Sequence, residues 1–325
     1  MTDFDSPRLI ADIGGTYARF ALETAIGRFE HRASLRCAEH ADPAAAVKAY
    51  LAGLPLRPGA SRVPRHAALA VATAITGDTV EMTNSPWRFS RQALQRQLGL
   101  QSLAVLNDFE ALALSLPRLG PQQLRSHGLP VRPHGTMAVI GPGTGLGVAG
   151  VVQTAHGWTA LPGEGGHATL SAADDFEAQL LAHVRRHHEH VSAERLLSGI
   201  GLPTLHQAVA AVLSQRTPQL SAQDIVARGC AGEDPLCERT LDAFCALLGG
   251  FAGNVALTLG ARGGVYIGGG IVPRLGDYFF ASRFRERFEA KGRFRSYLEA
   301  IPTALITDTL VALTGAAVAI EQATA

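Results

Sequence analysis

Lysine is nearly missing from this chain. Only Lys48 and Lys291 occur, and arginine supplies the rest of the 29 basic residues. Against 28 acidic residues these leave a formal net charge of +1, so no broad basic face for nucleic acid or an anionic membrane is expected. Cysteine is scarce as well. Cys37, Cys230, Cys237 and Cys245 form no C-x-x-C pair, which excludes zinc-ribbon and thioredoxin patterns and leaves reduced thiols of a cytoplasmic protein as the default. The stretch from Met1 to Arg8 contains Asp3 and Asp5 and no apolar core, so a signal peptide is not expected. Long apolar runs are interrupted too. Glycines and Pro142 break the stretch 135–152, while Gly249, Gly250, Gly253 and Asn254 break 245–261. A membrane span wants about 20 apolar residues, so the second stretch reads as a buried helix.

What remains is a chain of 325 residues with 47% hydrophobic and 18% charged residues, enough for two domains and a large core. Strand-like runs fall at 8–13, 18–23, 67–72, 103–106, 137–141, 147–152, 264–268 and 303–307. Helical patterns fall near 42–54, 90–98, 108–116, 174–189, 192–214, 235–260, 281–290 and 309–322. This alternation predicts an α/β chain. The segment from Pro117 to Pro133, rich in Pro, Gly and Gln, is the expected crossing between domains.

Two glycine-threonine turns stand out. The stretch A-D-I-G-G-T-Y-A-R-F at 11–20 sets Asp12, Gly14, Gly15 and Thr16 between apolar runs. As a plain hairpin it would use glycine for positive φ, and Asp12 would be a turn residue. As a phosphate cradle it would offer backbone N–H groups and the Thr16 hydroxyl to an anion, with Asp12 facing a bound cation. The same plan returns at 137–152, where Gly143, Thr144 and Gly145 form the turn. The echo, about 130 residues on, suggests two similar domains facing each other across a cleft. The second turn matches neither G-x-x-x-x-G-K-[ST] nor G-x-G-x-x-G, and the protein-kinase signatures are absent. A third cluster, Gly268, Gly269 and Gly270 before Pro273, reads either as a tight strand–helix packing turn or as a flat surface for a purine.

Polar residues suited to a polyhydroxyl ligand follow apolar strands. Asn107 and Asp108 precede a helical pattern, where a helix N-cap is the competing reading. Glu164 and His167 sit in a glycine-rich turn, L-P-G-E-G-G-H at 161–167. Glu194 is expected on the first turn of a helix capped by Ser192. Carboxylates can each accept from two hydroxyls, which orients a sugar as an apolar pocket cannot. The histidines at 183, 187, 188 and 190 could hold a metal through an i, i+4 pair. A solvated helix face is the favoured reading, because no carboxylate or cysteine completes a ligand set.

Six motifs, in order and across nearly the whole chain, resemble the bacterial ATP-dependent glucokinase family: D-I-G-G-T (12–16), L-N-D-F (106–109), G-T-G-L-G (143–147), L-P-G-E-G-G-H (161–167), S-A-E-R-L-L-S-G (192–199) and G-G-G-I-V-P-R (268–274). The resemblance implies a two-domain actin-like ATPase (ribonuclease H-like) fold with ATP and sugar in the interdomain cleft. The smaller domain would comprise 1–117 plus 309–325 and the larger 118–308. It implies sugar contacts at Asn107, Asp108, Glu164, His167 and Glu194. Phosphate contacts fall at Asp12, Gly14, Gly15 and Thr16 and at Gly143, Thr144 and Gly145, and nucleoside contacts at Gly269 and Gly270. It further implies D-glucose as substrate, Mg²⁺ oriented by Asp12 through water, a homodimer, and neither nucleic acid nor membrane as partner. Two departures stand beside it. Tyr17 occupies a position where the family often has asparagine, which tolerates left-handed backbone better. The C-x-C-G-x-x-G-C-x-E motif of the related zinc-containing kinase-and-repressor family is absent.

The implied reaction moves the γ-phosphoryl group of ATP to the 6-hydroxyl of glucose, with Asp108 as general base. Two rivals share the fold. A sugar-sensing regulator would need a helix-turn-helix arm, yet few residues precede the first strand. A kinase acting on a carboxylate such as acetate would want a basic residue in the pocket, and no lysine is available there.

Overall fold

A computed structural model describes residues 4–55, 64–131, 134–308 and 310–324. Residues 1–3 of the N-terminal stretch, residues 132–133 of the expected crossing and residue 309, where the last helix was expected to begin, lie outside the described residues. The chain opens with strands β1 (Arg8–Ile13), β2 (Tyr17–Ala25) and β3 (Arg28–Arg36), helix α1 (Pro43–Ala52) and strands β4 (His66–Val71), β5 (Thr79–Glu81) and β6 (Arg88–Ser90). Helix α2 (Arg91–Gln97), strand β7 (Ser102–Asn107) and helix α3 (Asp108–Ser115) follow. Next come β8 (Leu124–His127), β9 (Thr136–Pro142), β10 (Leu146–Thr154), β11 (Gly157–Leu161), α4 (Asp175–Val184), α5 (Leu202–Val212), α6 (Ala222–Ala231) and α7 (Pro235–Leu259). The chain ends with β12 (Gly264–Ile267), α8 (Val272–Leu275), α9 (Asp277–Ala281), α10 (Phe284–Glu289), α11 (Arg295–Glu299), β13 (Thr303–Ile306) and α12 (Val311–Thr324).

The chain divides into two compact units, one running to Leu119 and resuming after Asp308, the other spanning Gly120–Asp308. In the first unit the sheet order is β3-β2-β1-β4-β7. β1 pairs antiparallel with β2 and parallel with β4, and β4 pairs parallel with β7. β1 is buried on both faces because Leu9 and Ile13 point to one side and Ile10 to the other. Val47, Tyr50 and Leu94 cover the first side, and Leu313, Ala316, Ala317 and Ile320 of α12 cover the second. α12 also lies close on α3, since a Cβ at Gly315 would collide with the Ala111 carbonyl.

The second unit repeats the plan. Its sheet order is β11-β10-β9-β12-β13-β8, with β9–β10 antiparallel and β9–β12 and β12–β13 parallel. β9 therefore takes the place of β1, and the hairpin β9–β10 the place of β1–β2. Ala138, Ile140, Val265 and Ile267 of this sheet share one core with Leu241, Phe244 and Leu248 of α7. By length and composition α7 could cross a membrane, but 72% of its apolar window is buried inside the protein, so it is a core helix.

The strands without an apolar run in the sequence are β3, β5, β6, β8 and β11. All five are sheet edges, β5 and β6 forming a two-stranded sheet of their own, and polar residues intervene in each. The helix expected over 192–214 is corrected: residues 192–200 are turns and only α5 is helical. The cause is local. A Cβ at Gly201 would crowd the carbonyls of Arg195 and Glu194, a packing no continuous helix provides.

Candidate active site

The first glycine turn joins β1 to β2. The Gly14 N–H donates to the Tyr17 carbonyl at 2.9 Å, closing the turn. Neither Gly14 nor Gly15 has positive φ, so the expected conformational reason for glycine is replaced by a spatial one. A Cβ at Gly15 would lie 2.6 Å from the Asn84 carbonyl oxygen. Thr16 is exposed beside them. Asp12 stands directly opposite Arg19 across the hairpin, and Arg19 Nη1 donates to Asp12 Oδ2 at 3.0 Å. Burial raises the Asp12 carboxyl above its ordinary value, and Arg19 opposes that shift. The sequence reading overlooked Arg19, although its position mirrors Asp12 across the turn.

Tyr17 opens β2 opposite Arg36 in ordinary strand pairing and has no positive φ. The turn therefore makes no left-handed demand on Tyr17, and the departure from asparagine leaves the backbone unstrained. Tyr17→Asn is expected to lose up to about 1 kcal/mol of stability in a urea titration, because tyrosine suits an exposed strand better than asparagine. A gain in stability would show instead that the backbone is strained.

Asn107 and Asp108 lie at the junction of β7 and α3. Asn107 is the N-cap: its side-chain oxygen accepts from Phe109 N–H at 2.9 Å and from Glu110 N–H at 3.3 Å. Glu110 returns a bond to the Asn107 N–H, completing a capping box. The Asn107 amide donates to the Thr73 carbonyl at 3.1 Å, which fixes its orientation. Asp108 is the first helical residue and half-buried; its Oδ1 also accepts from the Phe109 N–H at 2.9 Å, but the N-cap position and the capping box belong to Asn107.

In the second unit, three expected sugar residues come together. His167 lies 4.0 Å from Glu164 through Nε2 and 3.9 Å from Glu194 through Nδ1. Glu164 and His167 are exposed, whereas Glu194 is about one-third exposed and accepts from the Leu146 N–H at 2.8 Å through Oε2. Glu194 is thus tied to the β9–β10 turn while its other oxygen faces the imidazole. The glycines around Glu164 make this approach possible. A Cβ at Gly165 would lie 3.0 Å from Val148 Cβ, and one at Gly166 would collide with the Leu146 carbonyl.

The β9–β10 turn closes through Gly143 N–H to Gly145 O at 2.8 Å. Its members divide by role. A Cβ at Gly143 or Gly270 would meet nothing within 4 Å, and both glycines line a cavity of about 970 Å³ with Thr144 and Arg274. Gly145 is packed against Glu194, and Gly269 (φ +76°) against Pro142, so these two serve packing. Of the two readings of the third cluster, Gly269 follows the packing one and Gly270 opens on the cavity. Pro273 lies in the first turn of α8, as expected. A second cavity, of about 510 Å³, is lined by His167, Glu194, Arg195, His187, His188 and His190. It has no lysine, but Arg195 and the histidines supply basic groups that the sequence reading did not place there. His183 and His187 meet edge to face at 5.9 Å, and among the described residues no group of three or more potential ligands could hold a metal.

The sequence pattern described as Glucokinase matches residues 9–323. A glucokinase of Neisseria meningitidis is 48% identical over 318 residues, covering 97% of this chain and 95% of its own length. One from Chromobacterium violaceum is 50% identical over 313 residues, covering 96% of this chain and 88% of its own. Among solved structures, a glucokinase from an Antarctic psychrotroph matches with a TM-score of 0.90 at 39% identity, covering 98% of this chain and 99% of that one.

Proposed function

Because the chain belongs to the glucokinase family, we propose specific residue roles in the transfer of the γ-phosphoryl group of ATP to the 6-hydroxyl of D-glucose. That transfer is the activity of this enzyme, and its fold is the two-domain actin-like ATPase architecture. The observation that carries the assignment is the Glu164–His167–Glu194 cluster, with both carboxylates within 4.0 Å of one imidazole. Such a set accepts and donates to several hydroxyls at once and has no use for an apolar ligand.

In this reading Asn107, Glu164, His167 and Glu194 hold the sugar. Asp108 takes the proton of the 6-hydroxyl as that oxygen bonds to the γ-phosphorus and the bond to the ADP oxygen breaks. The Gly15 and Gly145 N–H groups, with the Thr16 and Thr144 hydroxyls, receive the phosphates, while the Gly14 and Gly143 N–H groups hold the two turns closed. Gly270 flanks the nucleoside, and Gly269 holds the turn beside it against Pro142. Mg²⁺, when bound with ATP, neutralises phosphate charge. Asp12 already carries Arg19 on Oδ2, which suits contact through water better than direct ligation. The reading includes a cytoplasmic homodimer with no nucleic-acid or membrane partner.

Release of ADP should be measured with glucose, mannose, fructose and acetate as acceptors. Turnover is expected with glucose and none with acetate; turnover with acetate alone would overturn the assignment. EDTA is expected to abolish turnover and leave the melting temperature unchanged. Unfolding by EDTA would reveal a structural metal instead.

A further inference from the structure

The cavity that holds His167 and Glu194 and the cavity that holds Gly143, Thr144 and Gly270 share one large apolar side chain, Ile200. It is 67% exposed, more than any other large hydrophobic residue described. A lone exposed isoleucine needs no explanation by itself. This one is mounted rigidly. The Gly199 N–H donates to Gly143 O at 2.8 Å, and the Ile200 N–H donates to Thr144 O at 3.3 Å. On the other side the Ser198 hydroxyl donates to Glu194 O at 2.7 Å and accepts from the Gly201 N–H at 2.9 Å. The flanking glycines are packed: a Cβ at Gly199 would lie 3.1 Å from Gly143 O, and one at Gly201 would lie 2.8 Å from Glu194 O. The segment is thus hydrogen-bonded to the donor turn and to the backbone of an acceptor residue at once. Its one large side chain stands between the two cavities, and β-branching keeps that side chain stiff.

We infer that Ile200 is a binding wall common to the acceptor and donor cavities, contacting the sugar on one face and the nucleotide on the other. The inference rests on the functional reading above. Its apolar surface would be covered from both sides when both substrates are bound, and truncation would weaken both contacts. A side chain that served only folding would leave the Michaelis constants alone.

The test is steady-state kinetics of Ile200→Ser and Ile200→Val beside the wild type, with thermal melts. Ile200→Ser is expected to raise KM about 3- to 10-fold for glucose and for ATP, the size expected from uncovering part of one aliphatic side chain. Its kcat should stay within about twofold and its melting temperature should not move, because the residue is exposed. Ile200→Val should restore most of both KM values. A rise for one substrate only, or for neither, overturns the shared wall. Failure of the wild type to phosphorylate glucose would overturn the functional reading instead, so the two failures are distinguishable.

Discussion

Asp108→Asn is expected to leave a folded protein that binds glucose and turns over about 10² to 10⁴ times more slowly. The substitution keeps shape and can still hydrogen-bond a sugar hydroxyl, but an amide cannot accept the proton. The loss corresponds to about 3 to 5 kcal/mol of transition-state stabilisation. The competing explanation for an acid at this junction was helix capping. The geometry moves that role to Asn107, whose side chain accepts from Phe109 and Glu110 N–H groups. Asp108→Asn should therefore cost little stability, at most the few tenths of a kcal/mol that a negative charge contributes in a first helical turn. Single-turnover rates, glucose titration and a thermal melt check the three parts. A variant retaining more than about a tenth of the wild-type rate would remove Asp108 from the role of general base.

Gly166→Ala is the substitution with the next largest expected effect. Its Cβ would overlap the Leu146 carbonyl, so the backbone of the loop or of β10 must move. Overpacking of this kind costs about 1–3 kcal/mol or more. The displacement would fall on His167, the next residue, and on Glu194, whose N–H donates to Gly166 O at 2.9 Å. A shift near 1 Å in groups that orient a substrate costs up to about 100-fold, so kcat/KM for glucose should fall roughly 10- to 100-fold. Gly270→Ala is the control. Nothing lies within 4 Å of its Cβ, so stability should hold while KM for ATP rises. Unchanged glucose kinetics in Gly166→Ala would show that the close packing against β10 does not position the sugar residues.

The sequence was most legible where burial imposed a pattern. β1, β4, β9 and β12 are central strands, and their near-continuous apolar runs mark them. Edge strands such as β3, with arginine, glutamate and histidine interleaved, carry no such mark. The helix α6 was also missed, since its only large apolar residues are Ile225 and Val226, adjacent in sequence and set among Gln, Asp, Arg, Gly and small residues. At the site, the motifs identified which residues mattered but not what each did. Gly143 and Gly269 look alike in sequence, yet one opens on a cavity and the other packs against Pro142. Arg19 and Ile200 escaped notice because their importance lies in what they face across a turn or between two cavities. Spacing along one chain does not encode either relation.

The return of α12 to the first unit has a consequence for synthesis on the ribosome. The face of the first sheet formed by Ile10, Ala21 and Ala68 is covered by Leu313, Ala316, Ala317 and Ile320 of α12. About 190 residues of the second unit are made between them. At about 5–20 residues per second that interval is roughly 10–40 s. During it the nascent chain holds a strand-rich apolar face with no native cover, while the second unit, continuous in sequence, emerges with its own core complete. The unit whose translation starts first therefore cannot complete its core until the whole of the second unit has been made.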